Sequence, residues 1–121
     1  MAFGTHHVHV KTRDPKKTMQ FYVDNLGATL LADQGARGYR VSLHGLQLNI
    51  TPLIDTQKRE QHYGIEHIAV DTDDYTATLA RLRGNGVRIL EELPPNNGRR
   101  VCFLEAPDGA QIELIEKLQP A

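Results

Sequence analysis

HVHVKTRDP, residues 7–15, and HIAVDTDDY, residues 67–75, share one pattern: a histidine opens an alternating, β-branched run, and an aspartate stands seven positions after it. Alternation at period two is the mark of a half-buried strand. An aspartate at the end of such a run is a good N-cap for a following helix. In the first copy Asp14 is followed by Pro15 and then by Met19, Tyr22, Val23 and Leu26 at helical spacing, with Gly27 closing the segment. In the second copy Asp74 is followed by Tyr75, Leu79 and Leu82, closed by Gly84-Asn85-Gly86. Each copy therefore reads strand, then helix.

Working outward, each half continues with three β signals separated by turn residues. They are ATLLAD, GYRVSLHG and LQLNIT in the first, and VRILEE, RRVCFLEAPDG and AQIELIE in the second. The expected architecture is α+β, built from two tandem βαβββ modules whose curved mixed sheet encloses a cavity. The expected boundaries are about 5–51 for module 1, 52–63 for a polar linker that can carry a helical turn, and 64–117 for module 2, all within one domain spanning 1–121. The segment LPPNNG, residues 93–98, joins two strands of the second module and is a candidate mobile flap.

Bulk composition narrows the partners. With 14 basic and 15 acidic side chains the formal net charge is −1, which offers no electrostatic footprint for nucleic acid or an anionic membrane. A small molecule is the expected ligand. Neither a signal segment nor a long apolar span is present in the sequence, and the single cysteine, Cys102, cannot close an internal disulfide. A cytoplasmic setting follows as the expectation, with Cys102 read as a small buried hydrophobe.

Strand phase then selects candidate chemistry. Residues two apart share a face, so Val8 and Val10 are expected against the helix, leaving His7 and His9 on the opposite, cavity face. The same phase puts Ile68 and Val70 against the second helix and His67 with Ala69 in the cavity. On the last strand Ile112 and Leu114 are the packing residues, so Gln111 and Glu113 face the other way. His7, His67 and Glu113 thus converge, and two imidazoles with one carboxylate suit a divalent first-row ion such as Fe, Mn, Ni, Co or Zn. The bland alternative for each is a half-buried polar group satisfied by hydrogen bonds. His9 lies one pleat from His7, roughly 6 to 7 Å along the strand, where it can touch a bound substrate and transfer a proton. His6 is expected in solvent, and His44 and His62 in exposed loops. Tyr39, Arg40, Ser42, Arg100 and Cys102 lie on central strands whose phase the sequence leaves open, and Arg99-Arg100 beside the flap is a candidate anion contact.

The openings HVHVKTRDPKKTMQFYVDNLG and EHIAVDTDD and the closing FLEAPDGAQIELIE resemble the vicinal oxygen chelate superfamily, which includes glyoxalase I, extradiol dioxygenases, methylmalonyl-CoA epimerase, and fosfomycin and bleomycin resistance proteins. The resemblance runs from about Thr5 to Lys117. It implies metal ligands at His7, His67 and Glu113, with Asn49 in the fourth place, and a catalytic role for Glu113. Asn49 departs from glyoxalase I-like sequences, which carry a carboxylate there; the remaining three resemble a 2-His-1-carboxylate triad that leaves room for a bidentate substrate. The implied function is a divalent-metal-dependent lyase, isomerase or ring-cleaving dioxygenase acting on a substrate chelated through adjacent oxygens. The alternative is a metal-free sequestering protein of the bleomycin-resistance type. A homodimer is also implied by the family.

Overall fold

The computed structural model describes residues 2–118. Its elements run β1 (Phe3–Lys11), α1 (Pro15–Leu26), β2 (Thr29–Asp33), β3 (Tyr39–Leu43), β4 (Leu46–Thr51), β5 (Gly64–Thr72), α2 (Tyr75–Gly84), β6 (Ile89–Glu92), β7 (Val101–Glu105) and β8 (Gln111–Glu116). This is the β-α-β-β-β order twice, an α+β fold. The described residues divide into two compact units, one of residues 7–66 and the other of residues 2–6 with 67–118. The segment 52–63 belongs to the first of these, together with the start of β5.

In the unit of residues 7–66 the strand order is β2-β3-β4-β1. β1 runs parallel to β4, with Val8 opposite Leu48 and His9 opposite Asn49, while β3 is antiparallel to both β4 and β2. Val10, Ala28, Val41, Leu48 and Ile50 form the core, with Val8 and the α1 residues Met19, Tyr22 and Val23 packed on it. The expected phase of β1 holds: valines lie on the helix side, which leaves His7, His9 and Lys11 on the other. Asp14 caps α1 by accepting from the Lys17 N–H at 3.0 Å, and Gly27 closes it in the left-handed region at φ 71°.

The unit containing residues 67–118 repeats this plan, with order β5-β8-β7-β6, β5 parallel to β8, and β7 antiparallel to both neighbours. Tyr75, Cys102 and Leu114 form its core, joined by Leu79, Leu82, Ile89 and Leu104. Asp74 caps α2 by accepting from the Ala77 N–H at 3.1 Å. Here the expected packing is only partly met. Ile68 stays 45 % exposed and Val70 is half-buried. Their side of the strand was read correctly, but α2 places its inward residues over Cys102 and Leu114 instead.

The internal repeat extends to hydrogen bonds. Thr12 and Thr18 join hydroxyls at 2.7 Å around the Asp14 cap, and Thr72 and Thr78 do so at 2.9 Å around Asp74. In both copies the first threonine also accepts from the capping aspartate's own N–H. The pattern T-x-D-x-x-x-T thus fixes each strand-to-helix corner. The 52–63 segment is held by polar contacts: Arg59 pairs with Glu66 at 2.6 Å with both side chains buried, and the buried Lys11 ammonium donates to Gln61 at 3.0 Å.

Candidate functional site

Each unit presents one wall of candidate residues. In the second unit His67 is 3 % exposed on β5, and its Nε2 lies 3.1 Å from Oε1 of Glu113 on β8. The register explains the meeting: Glu113 lies opposite Ala69, one pleat beyond His67, so the two side chains converge diagonally. Phe103 lies opposite Glu113 on β7 and stands edge-on to the imidazole, with ring centroids 5.0 Å apart at 88°. This fully buried ring fixes the plane of His67.

Glu113 also opens onto a cavity of about 420 Å³, whose walls are Val101, Ile115, Leu93, Pro94 and Leu118, with Asn96, Asn97 and Arg99 at its polar end. The 93–98 segment, read from sequence as a candidate mobile flap, is built as a tight hairpin: Asn96 and Arg99 exchange backbone bonds of 3.0 and 3.1 Å around Asn97 and Gly98, at φ 52° and 78°. Positive φ at both central positions is the type I′ geometry that matches strand twist, which Asn-Gly adopts readily.

In the first unit His7 and His9 are both buried, with ring centroids 5.8 Å apart at 60°. The Thr51 hydroxyl donates to the Pro52 carbonyl at 2.8 Å, so toward His9 Nε2, 2.7 Å away, it acts as acceptor. His9 therefore carries a hydrogen on Nε2, an assignment made from this network. Asn49 is opposite His9, and its Oδ1 accepts from Gln47 Nε2 at 2.9 Å. The two modules match position by position. His7 corresponds to His67, His9 to Ala69, and Asn49 to Glu113, because the last-strand residue in each lies opposite the position two beyond the first histidine.

The residues whose phase the sequence left open now separate. Cys102 is in the core, with its thiol beside the Tyr75 hydroxyl; burial pushes both groups up, and the tyrosine's hydrogen bond partly offsets the rise at the thiol. Arg100 is engaged structurally: it donates to both oxygens of Glu116 at 2.8 and 3.1 Å and lies over the Tyr75 ring, 4.7 Å from its centroid. Those hydrogen bonds hold the Glu116 carboxyl below its ordinary value. Ser42 accepts from the Gly45 N–H, whereas Arg40 lies opposite Asn49 beside a small polar cavity. His44 was expected simply as an exposed loop residue, yet its Nε2 donates to the Leu26 carbonyl at 2.7 Å and closes the C-terminus of α1. Phe103 and Thr51, which orient the two walls, were missed, although register against Glu113 and His9 is what marks them.

The spacing on the second wall also tests whether a metal fits. Two ligand atoms about 2.1 Å from one ion and at right angles to each other lie about 3.0 Å apart, close to the observed 3.1 Å between His67 and Glu113. Imidazole nitrogen and carboxylate oxygen are both suitable donors for a divalent ion.

A family model described as the glyoxalase/bleomycin resistance protein/dioxygenase superfamily matches residues 4–114. The chain belongs to this superfamily. It is 31 % identical to a probable lactoylglutathione lyase of Synechocystis sp., over 91 % of this chain and 92 % of that protein. Its identity to the lactoylglutathione lyase of Haemophilus influenzae is 30 %, over 91 % and 90 % of the two chains. Among solved structures, the methylmalonyl-CoA epimerase of Mycobacterium tuberculosis superposes with a TM-score of 0.73 at 26 % identity, covering 96 % of this chain and 89 % of that one. A hypothetical protein of Bacillus halodurans shares the fold at a TM-score of 0.77 and 21 % identity, covering 100 % and 99 %. The superfamily members it resembles thus include enzymes named for a lyase and an epimerase reaction.

Proposed function

We propose that this chain is a divalent-metal-dependent enzyme acting on a small substrate that offers two adjacent oxygens. In this reading His7, His67 and Glu113 hold the ion, with the Asn49 amide in the fourth place. The observation that carries the reading is the His67–Glu113 pair, set 3.1 Å apart at the edge of an apolar-walled cavity. The matched register of His7 and Asn49 in the other module supports extending the set across the repeat. The ion, one of Fe, Mn, Ni, Co or Zn, supplies Lewis acidity toward the two substrate oxygens.

The chain's own residues divide the proton work. Glu113 takes a proton from the substrate carbon at a carboxylate oxygen, helped by apolar walls that exclude water. Asn49 cannot carry a proton, so Glu113 is the one carboxylate of the set. Returning the proton to the neighbouring carbon on the same face is then the natural outcome, as an isomerising lyase requires. Epimerisation instead needs a donor on the opposite face, and His9 as its imidazolium, giving the proton from Nδ1 while Nε2–H stays on Thr51, is the group of the first unit able to serve. Phe103 and Thr51 act as positioning residues for His67 and His9.

The setting we propose is cytoplasmic and the assembly a homodimer, as the family resemblance implies. The lone Cys102 is free and buried, in keeping with a reducing compartment, and among the described residues no helix is long and apolar enough to cross a membrane.

The test pairs metal analysis with two assays. Wild type should retain about one ion per chain, and His67→Ala should lose it. Metal-loaded wild type is then assayed with the methylglyoxal–glutathione adduct and, by solvent-deuterium exchange, with methylmalonyl-CoA. Turnover of the adduct that survives His9→Ala supports the isomerising lyase, whereas exchange abolished by His9→Ala supports the epimerase. Unchanged metal content in His67→Ala would overturn the reading.

A further inference from the structure

We propose that Arg40 forms an anion subsite that binds a carboxylate of the substrate, so that the substrate is a small acid carrying this group in addition to its adjacent oxygens. The inference rests on the reading above, because the subsite lies on the wall that carries His9 and Asn49. Arg40 is opposite Asn49 on β3, and Asn49 is in turn opposite His9, so the three side chains share the face turned away from α1. A cavity of about 230 Å³ opens there, lined by Gln34, Tyr39, Arg40, Asn49 and Thr51. Every one of these side chains can form hydrogen bonds, and Arg40 is the only charged one among them.

Packing does not explain the guanidinium. In the internal repeat the counterpart of Arg40 is Phe103, which lies opposite Glu113 and is fully buried. Module 1 thus substitutes an exposed cation for the other module's buried ring and a neutral amide for its carboxylate. Both changes make this wall more positive. Four other arginines are engaged, Arg59, Arg83 and Arg100 with carboxylates at 2.6 to 2.9 Å and Arg13 over the Tyr63 ring, so what sets Arg40 apart is its place beside Asn49 on a polar cavity. Among the described residues the Arg40 side chain makes no ion pair or hydrogen bond, and no carboxylate lines its cavity. A planar guanidinium on a wall of amide and hydroxyl groups matches a carboxylate in a two-pronged fashion, which a lysine could not reproduce.

The test titrates metal-loaded protein with glutarate, which has carboxylates but no adjacent oxygen pair for chelation, and follows the arginine Nε–H resonances by NMR. Glutaramide serves as the neutral control and inorganic phosphate as the tetrahedral one. Glutarate should shift the Arg40 resonance saturably, glutaramide should not, and phosphate should bind more weakly. Arg40→Gln should weaken glutarate binding about tenfold or more, with Arg40→Lys in between. Equal binding by Arg40→Gln, an equal response to glutaramide, or phosphate binding as tight as glutarate would overturn the subsite. Metal content of Arg40→Gln, which should match wild type, keeps this outcome separate from the previous reading. If His67→Ala retains its ion while glutarate still shifts Arg40, the enzyme reading alone falls; if the ion is lost and Arg40 stays silent, the subsite alone falls.

Discussion

Replacing Arg59 by Met removes the guanidinium that lies 2.6 Å from the buried Glu66 carboxylate. The two side chains are 1 % and 0 % exposed and 2.6 Å apart, so water can replace neither partner. Removing one member of such a pair costs about 3–5 kcal/mol, most of it the burden of a stranded buried charge. A domain of this size is stable by roughly 5–15 kcal/mol, so the loss is a large share of the total. At about 4 °C per kcal/mol, the melting temperature should fall by about 12–20 °C. Thermal and urea unfolding followed by circular dichroism measure this, with the unfolding slope checked for constancy. The double variant Arg59→Met, Glu66→Met should recover most of the loss, because two apolar side chains strand no charge. A single-variant loss below about 1 kcal/mol would refute the reasoning. Glu66 immediately precedes His67, so the same pair fixes the backbone from which that histidine projects.

Gly38 has φ 123°, and a Cβ there would overlap the Ile50 carbonyl, so Gly38→Ala should destabilise the protein by at least about 2 kcal/mol in urea unfolding. A variant as stable as wild type would show that the turn rearranges freely. Cys102 is fully buried and its thiol is pushed up by that burial, so native protein at pH 7.5 should resist alkylation by iodoacetamide until unfolded, as mass spectrometry can measure. Rapid labelling of the native state would contradict its placement in the core. The folded-state carboxyl of Glu116 is held below its ordinary value of 4.5 by hydrogen bonds from Arg100, so its contribution to stability is present above that pH and lost as pH falls through the lowered value. Arg100 is 44 % exposed, so the contribution is modest, and Glu116→Gln should slightly reduce the stability lost between pH 7 and pH 3. An identical acid loss in the variant would dismiss the pair's role.

Much of the fold was legible because local signals and periodicity agreed. Asp14, Pro15 and Gly27 punctuate α1 as their chemistry demands, and alternation placed Val8 and Val10 against it. Alternation on the last strand selected Glu113 and the family resemblance named Asn49, and the two occupy matched register positions in the modules. Ile68 shows the limit: alternation assigns a side of the strand but not how far a helix extends over it. Arg40, Arg100 and Cys102 stayed open because central strands with mixed polar and apolar residues fix no phase until their partners are known. His44 and Arg59 form contacts spanning 18 and 7 residues, which no local pattern encodes. Asn97-Gly98 was readable as a turn, but the length of its flanking loop masked the tight hairpin.

The most direct measurement is a titration of metal-stripped protein with Zn²⁺, following the ¹⁵N imidazole resonances of His7 and His67 together. Both should change in step and stop at one equivalent, and Glu113→Gln should weaken the binding. Separate saturation of the two histidines, or a response confined to one of them, would contradict a single cation shared between the modules.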